Sequence, residues 1–351
     1  MENGEMKKQA MKQAVMTEPG KISFRELPVP EATPGTVLIK IDAVGLCTWE
    51  QKYFAGVPGS YPFVGGHEIC GTVVEVGSEV AQTLQAGDRV SVASLTRCGE
   101  CYYCRKGMDN LCENVGDESK PGNHWGPGGF SEYFVARGYE VYKINKDTDP
   151  AIGTLAEPLA CVIRSIDRAD TQFGDTVLVL GAGVMGIIHV LLAKLRGARV
   201  IVSEVDVGRR QRALEFGADQ VVNPLDEKVS VLVKKLTGGR GTEAVFFTAG
   251  GKSAILDGMA SLVKNGKLII YGATKGSDVF ELDPKVFHYD EIYITGVTKH
   301  TKDTFRRATE LISSGKLPLD RLISRRYPFA DIADAFGVAG NLDTYRVAVL
   351  M

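Results

Sequence analysis

The hexapeptide Gly181-Ala182-Gly183-Val184-Met185-Gly186 constrains this chain more than any other stretch, because of what flanks it. A β-branched apolar run at residues 176–180 leads directly into it, and apolar residues at helical spacing over 187–196 follow. In that setting each glycine has a task. The first permits a tight turn, the second lets backbone N–H groups approach a pyrophosphate, and the third lets helix and strand pack closely. The helix N-terminus adds partial positive charge. The next apolar run ends at Glu204, where a carboxylate can accept both hydroxyls of an adenosine ribose and repel a 2′-phosphate. NAD is expected in preference to NADP. Arg209 and Arg210 are the nearby groups that would neutralise a 2′-phosphate were the preference reversed.

Around this motif strands and helices alternate. Strands are predicted at 176–180, 199–202, 220–222, 244–247, 267–271 and 292–294, with helices at 187–196 and 209–216. Such alternation implies an α/β, doubly wound parallel sheet with helices on both faces. Before Asp149-Pro150 the character differs: short alternating runs at 37–41, 71–76 and 89–92, bounded by Gly, Asp and Pro, predict a β-rich domain. A helix at 302–313 and a strand at 345–350 close the chain, and this tail is expected to return to the first domain.

Four cysteines fall within fifteen residues, at Cys98, Cys101, Cys104 and Cys112. Four thiolates at this spacing suit tetrahedral Zn²⁺ at about 2.3 Å from each sulfur. Two disulfides or four free thiols are the alternative, and this spacing in a chain without an export signal argues against both. A closed four-thiolate site leaves no coordination position open, so it braces a loop and catalyses nothing. The first ten residues read as a disordered extension ahead of Met11, and the cysteine usage as cytoplasmic. A net charge of −2 argues against nucleic acid or anionic membrane as partners.

Chemistry must then come from elsewhere. Cys47, His67 and one carboxylate, Glu68 or Glu157, would form a three-ligand metal site with its fourth position open. Taken singly, each has a plainer reading as packing or solvated residue.

The segments Gly66-His67-Glu68, Gly87-Asp88-Arg89-Val90, Gly128-Gly129-Phe130-Ser131-Glu132-Tyr133, Glu157-Pro158 and Gly181–Gly186 stand together in one order. In this the chain resembles the zinc-dependent medium-chain dehydrogenases, nearer the polyol (sorbitol) and threonine branch than the animal alcohol dehydrogenases. The resemblance implies a GroES-like catalytic domain (11–155 and 299–351) split around a Rossmann domain (156–298), with the active site in the cleft between them. It implies two zincs per chain, Cys47 and His67 as catalytic ligands with Glu68 and Glu157 equally ranked for the remaining place, and the cysteine lobe as structural. It also implies a homodimer or homotetramer, formed through an edge strand near 292–296.

The family usually carries a hydroxyl two residues after the ligand cysteine and a histidine five after it, relaying the substrate proton. Here those positions are Trp49 and Lys52, while Glu50 keeps the acidic position. Lys52, its pKa lowered by zinc and burial, could take the proton. Glu68 or Glu157 could shuttle it, or Trp49 could close the pocket while protons leave through water; the last two are favoured together. The nicotinamide is expected near Tyr271-Gly272 and Thr295-Gly296. The expected reaction is hydride transfer between a secondary alcohol and NAD. A polyol, cyclitol or sugar would suit a pocket lined by Trp49, Glu50, Lys52 and the loop residues His124 and Trp125. Threonine, its ammonium meeting Glu50, is the runner-up. A dinucleotide-binding redox sensor without dehydrogenase activity is the reading of another class.

Overall fold

A computed structural model describes residues 9–57, 60–81, 83–114, 125–273 and 279–351. Eight of the ten residues expected as an extension lie outside the described residues, and the first strand already begins at Ala10. The chain divides into two compact units, Met1–Pro158 with Thr301–Met351, and Leu159–His300.

The first unit opens with an antiparallel hairpin of β1 (Ala10–Glu18) and β2 (Lys21–Pro28). Strand β3 (Thr36–Gly45) follows, then helix α1 (Thr48–Phe54), β4 (Glu68–Val76) and β5 (Arg89–Ala93). The cysteine lobe carries the short helix α2 (Tyr102–Arg105), and β6 (Tyr133–Arg137), β7 (Val141–Lys143) and α3 (Pro150–Gly153) come after it; α4 (Ala156–Ala169) starts in this unit and belongs mostly to the second. Inward-facing Val37, Ile39, Ile41, Ile69, Val90 and Val92 fill the core of this unit, the driving term for a sheet with one buried face.

The second unit holds β8 (Thr176–Leu180), α5 (Val184–Leu195), β9 (Arg199–Ser203), α6 (Val207–Glu215) and β10 (Gln220–Val222). It continues through α7 (Val229–Leu236), β11 (Thr242–Phe247), α8 (Lys252–Ala260), β12 (Leu262–Ile270), α9 (Pro284–Asp290) and β13 (Tyr293–Gly296). All its strand pairs are parallel, in the order β10-β9-β8-β11-β12-β13. This is the doubly wound arrangement with its switch point beside β8, where dinucleotides bind.

Past Thr301 the chain belongs again to the first unit, through α10 (Lys302–Ser314), β14 (Ile323–Pro328), α11 (Ile332–Ala339) and β15 (Arg346–Leu350). Strand β15 pairs antiparallel with β3, Ala348 opposite Gly45. Gly45 is also opposite Glu68, which is opposite Ala93. The end of β3 thus lies between β15 and the start of β4, and the site stands at that end of the strands. No helix among the described residues is long and apolar enough to cross a membrane.

Candidate metal centre and nucleotide-binding loop

Cys47 is the residue that caps α1, two residues beyond the end of β3. Its N–H donates to Glu50 Oε2 (2.9 Å), because a carboxylate three residues into a helix reaches back to the cap. The other oxygen, Oε1, accepts from the Gly66 N–H (2.6 Å) and lies 2.8 Å from His67 Nδ1. Glu50 is fully buried and its carboxylate is committed to these three partners. It therefore does not face a substrate, as the sequence had suggested. It fixes the imidazole through Nδ1 and leaves Nε2 to act as a ligand. Burial opposes charge on His67, but the Glu50 carboxylate and the Cys47 sulfur outweigh it and hold the imidazole well above its usual pKa.

Two overlapping groups of donor atoms form around that ring. Cys47, Glu50 and His67 offer ligand atoms within 4.8 Å of one another, and so do His67, Glu68 and Glu157. Glu68 Oε2 is buried without a hydrogen-bond partner and stands where a Cβ on Gly45 would be, 2.2 Å away. Only glycine at position 45 leaves room for it. A sulfur, an imidazole and carboxylates converging around an unsatisfied buried oxygen are a donor set that suits Zn²⁺.

Sequence reasoning missed Arg346. Its side chain is buried, Nη1 donates to the Leu46 carbonyl (2.7 Å), and Nη2 lies 2.8 Å from Glu68 Oε1. Burial pushes the Glu68 carboxyl up to about 7 although Arg346 and His67 pull it down. The one available signal was a lone cation opening an otherwise apolar strand.

The residues expected to relay protons stand differently. Lys52 is exposed, so the burial on which a lysine relay depends is missing. Trp49 is 41% exposed and stands edge-on to His67, Tyr53 and Phe63. Trp125 donates from Nε1 to the Tyr53 hydroxyl (3.1 Å), whereas His124 lies outside the described residues.

Cys98, Cys101, Cys104 and Cys112 bring their sulfurs within 4.8 Å of one another. The turn is made at Gly99, whose φ of +77° favours glycine. The Cys98 sulfur accepts the Cys101 N–H and the Cys112 sulfur accepts the Cys98 N–H. Backbone N–H groups of Cys101 and Glu100 lower the Cys98 thiol to about 6, which favours the thiolate a metal needs.

In the second unit Gly181 turns at φ +98°, and a Cβ on Gly186 would stand 2.0 Å from the Gly181 carbonyl. A Cβ on Gly183 would meet only Arg209 Nη1, at 3.8 Å, leaving the loop open beside a guanidinium. Val184 and Met185 form the first turn of α5. Glu204 is buried, one oxygen accepting the Ala182 N–H (2.7 Å) and the other the Asp206 N–H (3.0 Å). Arg210 donates to the Glu204 and Val205 carbonyls. Tyr271 and Gly272 both donate to the Phe247 carbonyl, and Gly296 is opposite Ile270 with Thr295 one residue before it. These residues share the carboxyl edge of the sheet, where nucleotides bind in such folds.

The description "Alcohol dehydrogenase GroES-like domain" matches residues 33–146, and "Zinc-binding dehydrogenase" matches residues 184–314. The chain belongs to the zinc-binding alcohol dehydrogenase family. It is 33% identical to L-threonine 3-dehydrogenase of Pyrococcus horikoshii, over 95% of this chain and 97% of that one. With sorbitol dehydrogenase of Bacillus subtilis it shares 32% identity over 93% of both chains. A Sinorhizobium meliloti protein whose structure was solved bound to NADP superposes with a TM-score of 0.89 at 30% identity, covering 98% of this chain and 100% of that one. As a member of this family the chain is a zinc-dependent oxidoreductase acting on CH–OH donors, and the sensor reading gives way. The four-cysteine cluster fits the structural zinc of such an enzyme, and the overlapping donor groups around Cys47 and His67 fit a catalytic one.

Proposed function

We propose that this dehydrogenase oxidises a secondary alcohol of a polyol, cyclitol or sugar with NAD, using Cys47, His67 and Glu157 as its catalytic zinc ligands. The observation that carries the assignment is the convergence of His67 with two carboxylates of unequal standing. Glu68 is wholly buried with one oxygen 2.8 Å from Arg346 Nη2, while Glu157 is only partly buried. Glu157 is the ligand in this reading, and Glu68 is the buried charge behind the site. Zinc, when bound, supplies a Lewis acid that brings an alcohol's pKa toward neutrality. Glu50 holds the imidazole in register for it through Nδ1. With Lys52 in solvent, the hydroxyl proton leaves through water beside Trp49 or by way of Glu68.

The threonine reading draws on the Pyrococcus relative, but Glu50, the group offered to its ammonium, is buried and saturated. Glu204 supports NAD, with Arg209 beside the open loop at Gly183 as the rival influence. Assembly through the edge strand β13, and a reducing cytoplasmic setting, complete the proposal.

The test is NAD and NADP reduction across polyols, cyclitols, sugars and threonine, with zinc counted per chain. Two zincs, polyol-dependent NAD reduction and its loss with one zinc in Cys47→Ala are expected. Threonine outperforming every polyol would overturn the substrate reading, and tighter NADP than NAD binding would overturn the role of Glu204.

A further inference from the structure

The chain has two tryptophans, and both break the usual rule for large apolar side chains. Trp49 is 41% and Trp125 59% exposed. They are joined by the Tyr53 phenol. The Trp49 and Tyr53 rings meet edge to face at 5.1 Å, and Trp125 Nε1 donates to the Tyr53 hydroxyl. Tyr53 is itself stacked on the buried Phe63 at 3.8 Å, which prevents it from turning. The backbone repeats the link, since Phe63 and Trp125 form a β-bridge and the Val64 N–H donates to the Trp125 carbonyl. Two indoles are thus held on a buried aromatic base, one of them 5.6 Å from the ring of the metal-ligand candidate His67.

A wall of this kind selects by shape. Aromatic faces carry negative charge density and attract the weakly positive C–H groups of a partner. A cyclic polyol with mostly equatorial hydroxyls offers several axial C–H groups in one plane, and its hydroxyls point outward to water. An acyclic polyol has no fixed apolar face, and freezing its rotors to make one costs entropy. Resting on the polyol reading above, we infer that the Trp49–Tyr53–Trp125 wall makes this enzyme selective for cyclic polyhydroxylated alcohols, with Trp49 the residue on which the ring packs. The ring carbon bearing the reacting hydroxyl gives its hydrogen and electron pair to the oxidised nicotinamide, and the hydroxyl proton goes to water. One C–H and one O–H bond break, and a ring ketone and reduced nicotinamide form.

Because both tryptophans belong to the wall, binding is readable without turnover. The zinc-loaded enzyme without nicotinamide is titrated with a panel of inositol isomers and methyl pyranosides, and with sorbitol as the acyclic six-carbon control. Emission is followed in the wild type and in Trp125→Phe, where Trp49 is the sole reporter. Saturable change in emission with members of the cyclic set, retained in Trp125→Phe, is expected. In Trp49→Ala, KM for the cyclic substrate should rise about tenfold or more, with partial recovery in Trp49→Phe. Thermal unfolding checks that both variants fold. Sorbitol equalling or exceeding the cyclic set in kcat/KM, or saturable cyclic binding that leaves Trp49 emission unmoved, would overturn the inference while the dehydrogenase reading stands. No nicotinamide reduction by either set in protein holding two zincs would overturn both.

Discussion

Arg346 and Glu68 form an ion pair at 2.8 Å with side chains 2% and 0% exposed, on strands β15 and β4 that each pair with the end of β3. The pair joins the last strand of the chain to the residue beside His67. Its value lies in what breaking it would leave behind. A buried carboxylate stripped of its cation costs about 3–5 kcal/mol, whereas replacing both charges by apolar groups of like volume is close to neutral. Arg346→Met should therefore lower the denaturant midpoint strongly. Arg346→Met with Glu68→Leu should recover much of the loss, as read in a double-mutant cycle of urea unfolding. Equal loss in the single and double variants would show that Arg346 acts through Leu46 alone.

Glu50 makes a separate prediction, because it touches His67 through the nitrogen that a metal would not use. Glu50→Gln keeps an acceptor near Nδ1 but removes the charge, and Glu50→Ala also strands the Cys47 and Gly66 N–H groups. Loss of such an outer partner weakens metal affinity about 10–100-fold. Titration with a chelator should strip one zinc from Glu50→Ala far earlier than from wild type. The second zinc, held by the cysteine lobe, should be retained at the wild-type chelator concentration.

These two residues also mark how far the sequence could be read. Strands β8 and β10 fall where periodicity placed them, and the glycine loop carries its meaning in its spacing. The hairpin β1–β2 escaped notice because β2 is largely exposed along its length and shows no apolar face. Glu50 was recognised as a site residue but aimed wrongly. Residues 47 and 50 are three apart, the spacing of a capping carboxylate, and that pattern was the clue to its direction. Arg346 had no local signature, since its partner is 278 positions away in sequence and only the sheet register brings them together. Trp49 was legible as a departure from the family pattern, while its edge contact with His67 was not.

His189 yields a pH prediction in the nucleotide-binding unit. It is fully buried in α5, with Nδ1 2.7 Å from the Met185 carbonyl and Nε2 2.8 Å from the Ser165 hydroxyl. Burial lowers its pKa to about 4, the Met185 carbonyl opposing only in part. The unfolded chain binds this proton near pH 6.5 and the folded one does not until about 4. Stability contributed by a neutral His189 is therefore complete above pH 6.5 and lost as pH falls through that window. The shift corresponds to about 3 kcal/mol. Urea midpoints measured between pH 7 and 4 should fall more steeply for wild type than for His189→Gln, whose amide does not titrate. Parallel slopes would remove His189 from the account.

The last prediction concerns the lobe that holds the four cysteines. Arg97 Nε lies 3.0 Å from Asp109 Oδ2, with both side chains almost wholly buried, so residues flanking the first cysteine and preceding the last are tied together. Asp109 Oδ2 also accepts the Lys302 N–H at the start of α10, and the Lys302 carbonyl accepts the Tyr142 hydroxyl. The Tyr139 hydroxyl and the Arg97 backbone bind each other, and the Lys302 ammonium lies over the Tyr139 ring. The lobe is thus fastened to the returning segment of the first unit by an ion pair that water does not reach. Asp109→Asn should release it, because the guanidinium would be left buried without its counter-charge, at a cost of about 3–5 kcal/mol. Zinc should leave the lobe faster in a chelator chase while the site at Cys47 and His67 keeps its own. Cys101→Ser should lower thermal stability in the same direction, and any folded fraction of either variant should keep its kcat. A variant with unaltered stability and zinc release would show that the four sulfurs hold the lobe without help from the Arg97–Asp109 pair.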